Sequence, residues 1–138
     1  MAEQLQLDVV TPDRRVLETP VDMVTVPGLG GELGILPGHT PLISQLQTGV
    51  LSYTREGRTF QLHVSGGFVE VNEDRISVLA EIAELPEEID AARARLAREQ
   101  MEKTLSSWTG SEEDLQQAQT KLERATVRMQ LAAGGSRG

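Results

Sequence analysis

Apolar and polar residues alternate in short segments over roughly the first two thirds of the chain. In the first segment, Leu5, Leu7 and Val9 alternate with two polar residues, which is the period of two expected of a half-buried strand. Further short apolar segments occupy residues 15–17, 21–26, 42–46, 50–54, 59–64, 68–71 and 75–79. Strands this short, separated by turn residues, predict an antiparallel sandwich or barrel. No stretch between them resembles the crossover helix that a parallel sheet requires, so we expect an all-β half.

The pattern becomes helical near residue 86. Residues 89–106 contain no Gly or Pro and are rich in strong helix formers. Pro86 and two acidic residues mark the expected start of this helix, because proline and negative charge both suit a helix N-terminus. We expect its apolar stripe to comprise Ile89, Ala92 and Leu96.

A second helix is predicted after the break at residues 106–110, with Ser111 as its N-cap. Its apolar residues recur at spacings of 3, 4, 3 and 4 and form one stripe: Leu115, Ala118, Leu122, Ala125 and Met129. The sequence therefore predicts a mixed fold, with an N-terminal β-sandwich over residues 1–86 and an antiparallel helical hairpin over residues 87–138. The hairpin offers little apolar surface, so we expect it to be held only marginally.

Composition narrows the classes of function. The chain has 138 residues, no Cys and a formal charge of −8. The lack of Cys excludes disulfides, thiolate zinc sites and cysteine nucleophiles. The negative charge argues against a nucleic-acid partner and against direct docking on anionic lipid. No apolar run approaches the ~20 residues that cross a bilayer, and residues 1–7 do not resemble a signal peptide. We expect membrane contact only through partner proteins.

No catalytic or metal site is evident. Residues 28–31 resemble a phosphate-binding turn, but the third glycine of the dinucleotide motif is absent and no P-loop occurs. Glu32 and His39 lie in a Gly- and Pro-rich segment without a nucleophile or a second acid. His39 and His63 are far apart in sequence, and no ligand spacing suggests a metal. Structural or interface roles are favoured for these residues.

Asp90 and Arg93 admit two interpretations. Three residues apart on a helix, they would form an ordinary intrahelical ion pair. Alternatively, a carboxylate beside a guanidinium would suit a nucleotide, and Arg124 and Arg128 would add a clamp for phosphate. Composition by itself favours the solvated ion pair.

Two motifs extend this interpretation. Residues 31–42 read G-E-L-G-I-L-P-G-H-T-P-L and residues 65–71 read S-G-G-F-V-E-V. With a β-rich half followed by an alanine-rich hairpin, these motifs resemble the epsilon subunit of the F-type ATP synthase, bacterial type. The resemblance implies a non-catalytic central-stalk subunit of the rotor that couples proton translocation to ATP synthesis. It further implies contacts with the gamma subunit and, through Glu32 and His39, with the c-subunit ring. The location implied is the cytoplasmic face of the bacterial plasma membrane, as a peripheral part of the complex.

The same resemblance implies a regulatory role for the hairpin. In the family the hairpin lies against the sandwich or extends into the catalytic head, where it inhibits ATP hydrolysis and meets an acidic segment of the beta subunit. Here the candidates for the beta contact are Arg93, Arg95 and Arg98, with Arg124 and Arg128 on the second helix.

A regulatory ATP site is also implied. Residues 89–94 match the I/L-D-x-x-R-A motif of ATP-binding members at every fixed position. The residues that correspond to nucleotide contacts are Glu84, Ile89, Asp90, Arg93, Ala94, Arg124 and Arg128. Gln100 stands where such members carry an arginine, which predicts weakened or absent binding. No cofactor is required.

Other classes of function remain as alternatives. A stand-alone β-sandwich ligand-binding module with a helical oligomerisation hairpin predicts an aromatic-lined pocket, which the four aromatic residues of the chain disfavour. An enzyme that uses Glu32 and His39 lacks a third catalytic residue.

Overall fold

The chain forms a β-sandwich followed by two helices. The computed structural model describes residues 3–134, with side chains through residue 132. The strands are β1 (Leu5–Val10), β2 (Arg15–Val21), β3 (Met23–Gly28), β4 (Gly31–Ile35), β5 (Leu42–Gln45), β6 (Gly49–Arg55), β7 (Arg58–Ser65), β8 (Phe68–Asn72), β9 (Arg75–Leu79) and β10 (Ile82–Glu84). A short 3₁₀ turn at Pro86–Glu88 precedes α1 (Ala91–Ser106) and α2 (Glu112–Gly134). This confirms the predicted fold class; residues 135–138 of the expected hairpin lie outside the described residues.

Two five-stranded sheets enclose an aliphatic core. The first sheet, sheet A, has the order β2-β1-β9-β8-β5, and the second, sheet B, has the order β10-β7-β6-β3-β4. Alternate residues of each strand point inward, as Leu5, Leu7 and Val9 do in β1 and Leu62 and Val64 do in β7. Each such side chain contributes about 1.5–3 kcal/mol relative to exposure. Since this core consists of residues from the sandwich, the β half does not depend on the helices for its interior.

One pair of strands departs from the expected antiparallel arrangement. β1 pairs with β9 in parallel, with Leu7 opposite Ile76 and Val9 opposite Val78. The other pairs of named strands are antiparallel. A parallel pair needs a long connection, not necessarily a helix, and here the seven intervening strands supply it.

The sequence pattern did not predict two of the strands, and it predicted one continuous strand where the structure has the end of β2 and the start of β3. β4 lies inside the Gly- and Pro-rich segment, where Gly31 at φ 128° turns the chain back onto β3. The glycines of β4 obscure the alternation of apolar and polar residues by which strands are recognised. The three-residue strand β10 pairs with β7 and is too short for a periodic pattern. The predicted strand over residues 21–26 is divided at Asp22, which separates β2 from β3.

The first helix begins later, and buries a different face, than the sequence predicted. Pro86 opens the 3₁₀ turn, Ile89 is extended, and α1 starts after Asp90. Leu96 is 55% exposed, whereas Ala94 is buried against α2. Spacing alone did not reveal this because alanines occupy several faces of α1.

The second helix agrees with its predicted pattern. Ala118 and Ala125 of the apolar stripe are buried, and the hydroxyl of Ser111 accepts a hydrogen bond from the Asp114 N–H at 3.1 Å, which confirms the N-cap. α1 packs chiefly on α2, and α2 packs on β6 and β7 of sheet B. The hairpin is therefore attached to the sandwich mainly through one face of α2.

Candidate functional site

The outer face of sheet B carries two polar residues that α2 covers. His63 and Ser65 alternate along β7 with the core residues Leu62 and Val64, so they point away from the core. Both are nevertheless buried, at 0% and 1% exposure. The sheet register places His63 directly opposite Glu84 on the edge strand β10. Neighbours in such a pair project from the same face of the sheet. Glu84 and His63 therefore both lie on the face of sheet B against which α2 packs.

Glu84 links the sandwich to the hairpin. Its Oε1 atom accepts from His63 Nδ1 at 2.8 Å and from Arg128 Nε at 2.7 Å. The side chains of Glu84 and Arg128 are 27% and 29% exposed. The hydrogen bond from His63, followed by the bond and the charge of Arg128, lowers the pKa of Glu84 to about 2 against the opposing effect of burial. Glu84 therefore stays ionised at physiological pH and holds Arg128 by a charge-assisted bond.

A second arginine of α2 docks one turn away. Arg124 Nε donates to Ser65 Oγ at 2.7 Å, and Ser65 Oγ lies 2.7 Å from Thr48 Oγ1. Arg124 also lies 3.6 Å from Glu81, a pair exposed enough to contribute little. We call Glu84, Arg128, Ser65 and Arg124 the docking contacts. They are the polar links by which the described structure holds α2 on the sandwich.

The low pKa of Glu84 predicts that the free energy of unfolding depends on pH in the acid range. A carboxyl whose folded pKa is about 2 and whose ordinary value is 4.5 contributes stability that is complete above about pH 4.5 and is lost as the pH falls through 2. The free energy of unfolding of the wild type should therefore exceed that of Glu84→Gln at neutral pH, and the difference should shrink below about pH 4.5. Denaturant titrations at stepped pH measure this. A difference that stays constant down to pH 2 would contradict the assigned role of Glu84.

The linker before α1 is fixed to the sandwich separately. Arg14, in the β1–β2 turn, donates to both carboxylate oxygens of Glu88 at 2.7 and 2.9 Å and to the carbonyl oxygen of Ala83 at 3.3 Å. Glu88 Oε1 also accepts from the Leu85 N–H at 2.8 Å. These bonds hold the pKa of Glu88 below its usual value, with the Arg14 bond as the largest cause. The 3₁₀ turn is thus anchored, and the extended residues Ile89 and Asp90 form the joint between it and α1.

Asp90 has a structural task that the sequence interpretation did not include. Its Oδ1 accepts from the Arg93 backbone N–H at 3.1 Å, which makes it the N-cap of α1. Among the described contacts there is no ion pair between the Asp90 and Arg93 side chains. The predicted intrahelical ion pair is therefore replaced by a cap, which stabilises a helix start by about 1 kcal/mol.

The residues matched to a nucleotide site fall into two groups. Glu84, Arg124 and Arg128 come together at the docking contacts. Next to them is a cavity of about 220 Å³, below the ~300–1,000 Å³ typical of ligand pockets. It is lined by Ile82, Ala97, Gln100, Met101, Lys121, Arg124, Ala125 and Arg128. Ile89, Asp90, Arg93 and Ala94 do not line it, so the compact hairpin places the motif at residues 89–94 outside this cavity.

The three arginines of α1 matched to the beta contact differ in their surroundings. Arg93 and Arg95 are exposed on α1. Arg98 is half-buried, lies 3.6 Å from Glu102 and donates to Met129 Sδ of α2 at 3.8 Å. In the described structure Arg93 and Arg95 face solvent, while Arg98 turns toward the second helix.

Glu32 and His39 lie at opposite ends of β4. Glu32 is next to the β3–β4 turn, whereas His39 follows the strand, where Gly38 N–H donates to Asp74 of the β8–β9 turn at 2.7 Å. The rest of β4 lies between them, together with a turn that the hydrogen bond from His39 N–H to the Leu36 carbonyl oxygen closes at 3.1 Å. His39 Nδ1 contacts its neighbour, the Thr40 carbonyl oxygen, at 2.6 Å. The two side chains therefore do not form an acid–base pair.

Sheet A exposes apolar side chains on its outer face. Phe68 and Leu79 are directly opposite each other on β8 and β9, at 49% and 55% exposure. Ile43, on the neighbouring strand β5, is 70% exposed. We call these three residues the outer patch. A group of large apolar side chains on one sheet face indicates a surface for another protein.

Within the part of the chain that the structure describes, no group of His, Asp or Glu side chains has the arrangement of a metal site. Over the same residues, neither helix is long and apolar enough to span a bilayer.

The chain matches two profiles of one family. Residues 4–86 match "ATP synthase, Delta/Epsilon chain, beta-sandwich domain" and residues 87–133 match "ATP synthase, Delta/Epsilon chain, long alpha-helix domain". The ATP synthase epsilon chain 2 of Syntrophotalea carbinolica is 44% identical over 138 residues and covers all of both chains. The ATP synthase epsilon chain of Halalkalibacterium halodurans is 46% identical over 93% of this chain and 96% of its own.

Solved structures show the same fold in an assembly. A chain in the cryo-EM structure of the Euglena gracilis mitochondrial ATP synthase (OSCP/F1/c-ring) aligns at a TM-score of 0.78 and 30% identity, over 94% of this chain and 81% of that one. A chain of the Tetrahymena thermophila mitochondrial ATP synthase central stalk and c-ring aligns at a TM-score of 0.63 and 14% identity, over 94% and 97% of the two chains. The second match shows the fold alone.

Proposed function

The chain belongs to the ATP synthase delta/epsilon family, as an epsilon chain of the bacterial type, and from this premise we propose that it binds the gamma subunit and the c ring. Epsilon chains are structural and regulatory subunits and are not themselves catalytic. In the proposed role the chain rotates with the central stalk, and proton flow through the ring is coupled to ATP synthesis. This places it on the cytoplasmic face of the bacterial plasma membrane.

Two surfaces support the proposed contacts. The outer patch gives gamma an apolar face of the rigid sandwich. The segment from Leu29 to His39 supplies a second surface, in which Leu29 and Leu36 are 58% and 57% exposed beside Glu32 and His39. Exposed leucines beside single polar groups are typical of a surface that contacts another protein, and we assign this one to the c ring. Purification of the complex through gamma tests this assignment.

The observation that carries the regulatory proposal is the way α2 is held. Within the described residues, the hairpin contributes nothing to the core of the sandwich. Its own buried apolar residues are few, with Ala118, Ala125 and Leu131 on α2, and the docking contacts supply the polar links. Such an attachment can open without unfolding either part. We propose that the undocked hairpin extends toward the catalytic head, inhibits ATP hydrolysis and presents Arg93, Arg95 and Arg98 to the beta subunit.

ATP sensing is the finer part of the proposal. A nucleotide that binds only the compact hairpin would shift the population toward that state by its differential affinity. The 220 Å³ cavity beside Arg124 and Arg128 is too small for a whole nucleotide, so binding requires the helices to shift. Gln100 lines this cavity, where a guanidinium would contact phosphate more strongly.

ATP titration against the full chain checks the sensor. We expect weak binding by the wild type and loss of binding by Arg124→Ala, which removes a guanidinium that lines the cavity. The affinity of Gln100→Arg should be higher by about 10-fold, because one charge-assisted hydrogen bond is added. Calorimetry and chemical shifts give the measurement. No heat and no shift change up to millimolar ATP, in both the wild type and Gln100→Arg, would reject the sensor and leave the stalk assignment intact.

A further inference from the structure

His63 is a buried ionisable residue that the proposed function does not use. Its side chain is fully buried on the outer face of sheet B, and its Nδ1 lies 2.8 Å from Glu84 Oε1. A carboxylate can only accept, so Nδ1 carries the proton. Nε2, by contrast, is buried and has no hydrogen-bond partner among the described residues.

The unpaired Nε2 atom is costly. An unsatisfied buried polar atom destabilises the folded state, and an aliphatic side chain at this position would avoid that cost. The benefit on the other side of the ring is the bond to Glu84, which sits in direct register opposite His63. Without His63, the partly exposed Glu84 carboxylate would keep only its bond to Arg128 and would lose the bond that fixes its position on sheet B, so water would compete for it more effectively.

We propose that His63 is a positioning residue for hairpin docking: it fixes the Glu84 carboxylate at the place where Arg128 reaches it. The proposal rests on the two-state hairpin described above and adds a residue that sets its balance. Three groups form one chain of contacts, from His63 Nδ1 through Glu84 Oε1 to Arg128 Nε. The residue at position 63 thereby controls how firmly the hairpin stays docked, without touching the hairpin's arginine directly.

A distance measurement tests this in the full chain. The chain contains no Cys, so spin labels can be placed at Arg58→Cys, at the start of β7, and at Gln116→Cys on α2, both exposed positions. The wild type should give one narrow docked distance. His63→Leu fills a similar volume but donates no hydrogen bond. It should raise the ratio of open to docked hairpin by about 10-fold or more, which corresponds to the loss of one hydrogen bond to a charged group.

Matched variants separate positioning from packing. His63→Gln keeps an N–H donor and should restore docking at least in part, while His39→Leu changes a histidine remote from the hairpin and should leave the distance unchanged. His63→Leu should add nothing in a Glu84→Gln background, because the two residues act through one contact. Since His63→Leu also removes the unpaired Nε2, the sandwich itself should unfold at an unchanged or higher temperature. A residue that mattered only for packing would instead lower that temperature.

The outcomes are distinct. If Arg128→Ala opens the hairpin but His63→Leu does not, the positioning role is wrong and the two-state hairpin stands. If Arg128→Ala and Glu84→Gln also leave the hairpin docked, both proposals fail. If His63→Leu does not fold, imidazole ¹⁵N spectra of the wild type replace it: a protonated Nδ1 that exchanges slowly, and rapidly in Arg128→Ala, supports the proposal, and an unprotonated Nδ1 overturns it.

Discussion

Removal of residues 87–138 is expected to raise ATP hydrolysis by the assembled complex, under conditions that inhibit the intact complex, by about 5-fold or more, the lower end of typical allosteric coupling. The sandwich should survive this deletion because, over the residues whose side chains the structure describes, its core consists of sandwich residues. It should also remain bound to the stalk, since the outer patch and Glu32 lie in the part that is kept. The deletion thus removes the inhibitory hairpin and keeps the contact between the sandwich and the stalk.

A point substitution with the opposite sign serves as the control. Glu84→Gln weakens the attachment of Arg128 but leaves the hairpin sequence unchanged, so the undocked state gains population. Hydrolysis by a complex that contains Glu84→Gln should therefore fall below that of the wild type. Steady-state hydrolysis assays on the three purified complexes give the comparison. Unchanged hydrolysis after the deletion would contradict the regulatory role.

Gly67→Ala is expected to destabilise the sandwich by several kcal/mol, more than most single substitutions. Gly67 has φ +89°, and a Cβ atom there would overlap the carbonyl oxygen of Leu79. Its own carbonyl oxygen also accepts from Leu46 N–H at 2.9 Å, so the turn cannot relax without breaking that bond. Both strain and overlap follow from one added methyl group.

Gly57→Ala is the matched control. Gly57 has φ +77°, but a Cβ atom there would meet open space, so only the conformational cost of about 1–2 kcal/mol applies. Denaturant unfolding should show a modest shift of the midpoint for Gly57→Ala and a much larger shift, or no cooperative transition, for Gly67→Ala. Equal shifts for the two variants would show that the overlap with Leu79 is relieved.

The fold was predictable for elements that bury one face and expose the other to solvent. β1 and β8 alternate cleanly, and the α2 stripe shows its period, because burial acts on one side of each. α1 was assigned the wrong face, since Ala92 and Ala94 are equally compatible with either side and the choice is made by packing on α2. The parallel pairing of β1 with β9 depends on contacts about 70 residues apart in sequence, which local periodicity does not encode.

The site was predictable only in part. Arg124 and Arg128 were recognised as a pair four residues apart, but their acceptors Glu84 and Ser65 belong to the sandwich and are found only once the domains pack. His63 was assigned to a mid-strand position, where alternation predicts solvent exposure. Four consecutive buried residues, 62–65, show that a strand is covered on both faces. Because the outward positions of β7 carry polar residues, the sequence did not indicate that α2 covers this face of the strand.

Co-purification distinguishes a stalk subunit that gamma holds from a chain that assembles elsewhere. Complexes isolated through a tagged gamma subunit should contain one copy of the wild-type chain per gamma. They should lose the chain on Phe68→Glu, which places a charge in the outer patch, and retain it on Thr59→Glu, an exposed position of β7. Recovery of the wild-type chain without gamma, from cells that make both, would show that gamma does not hold it.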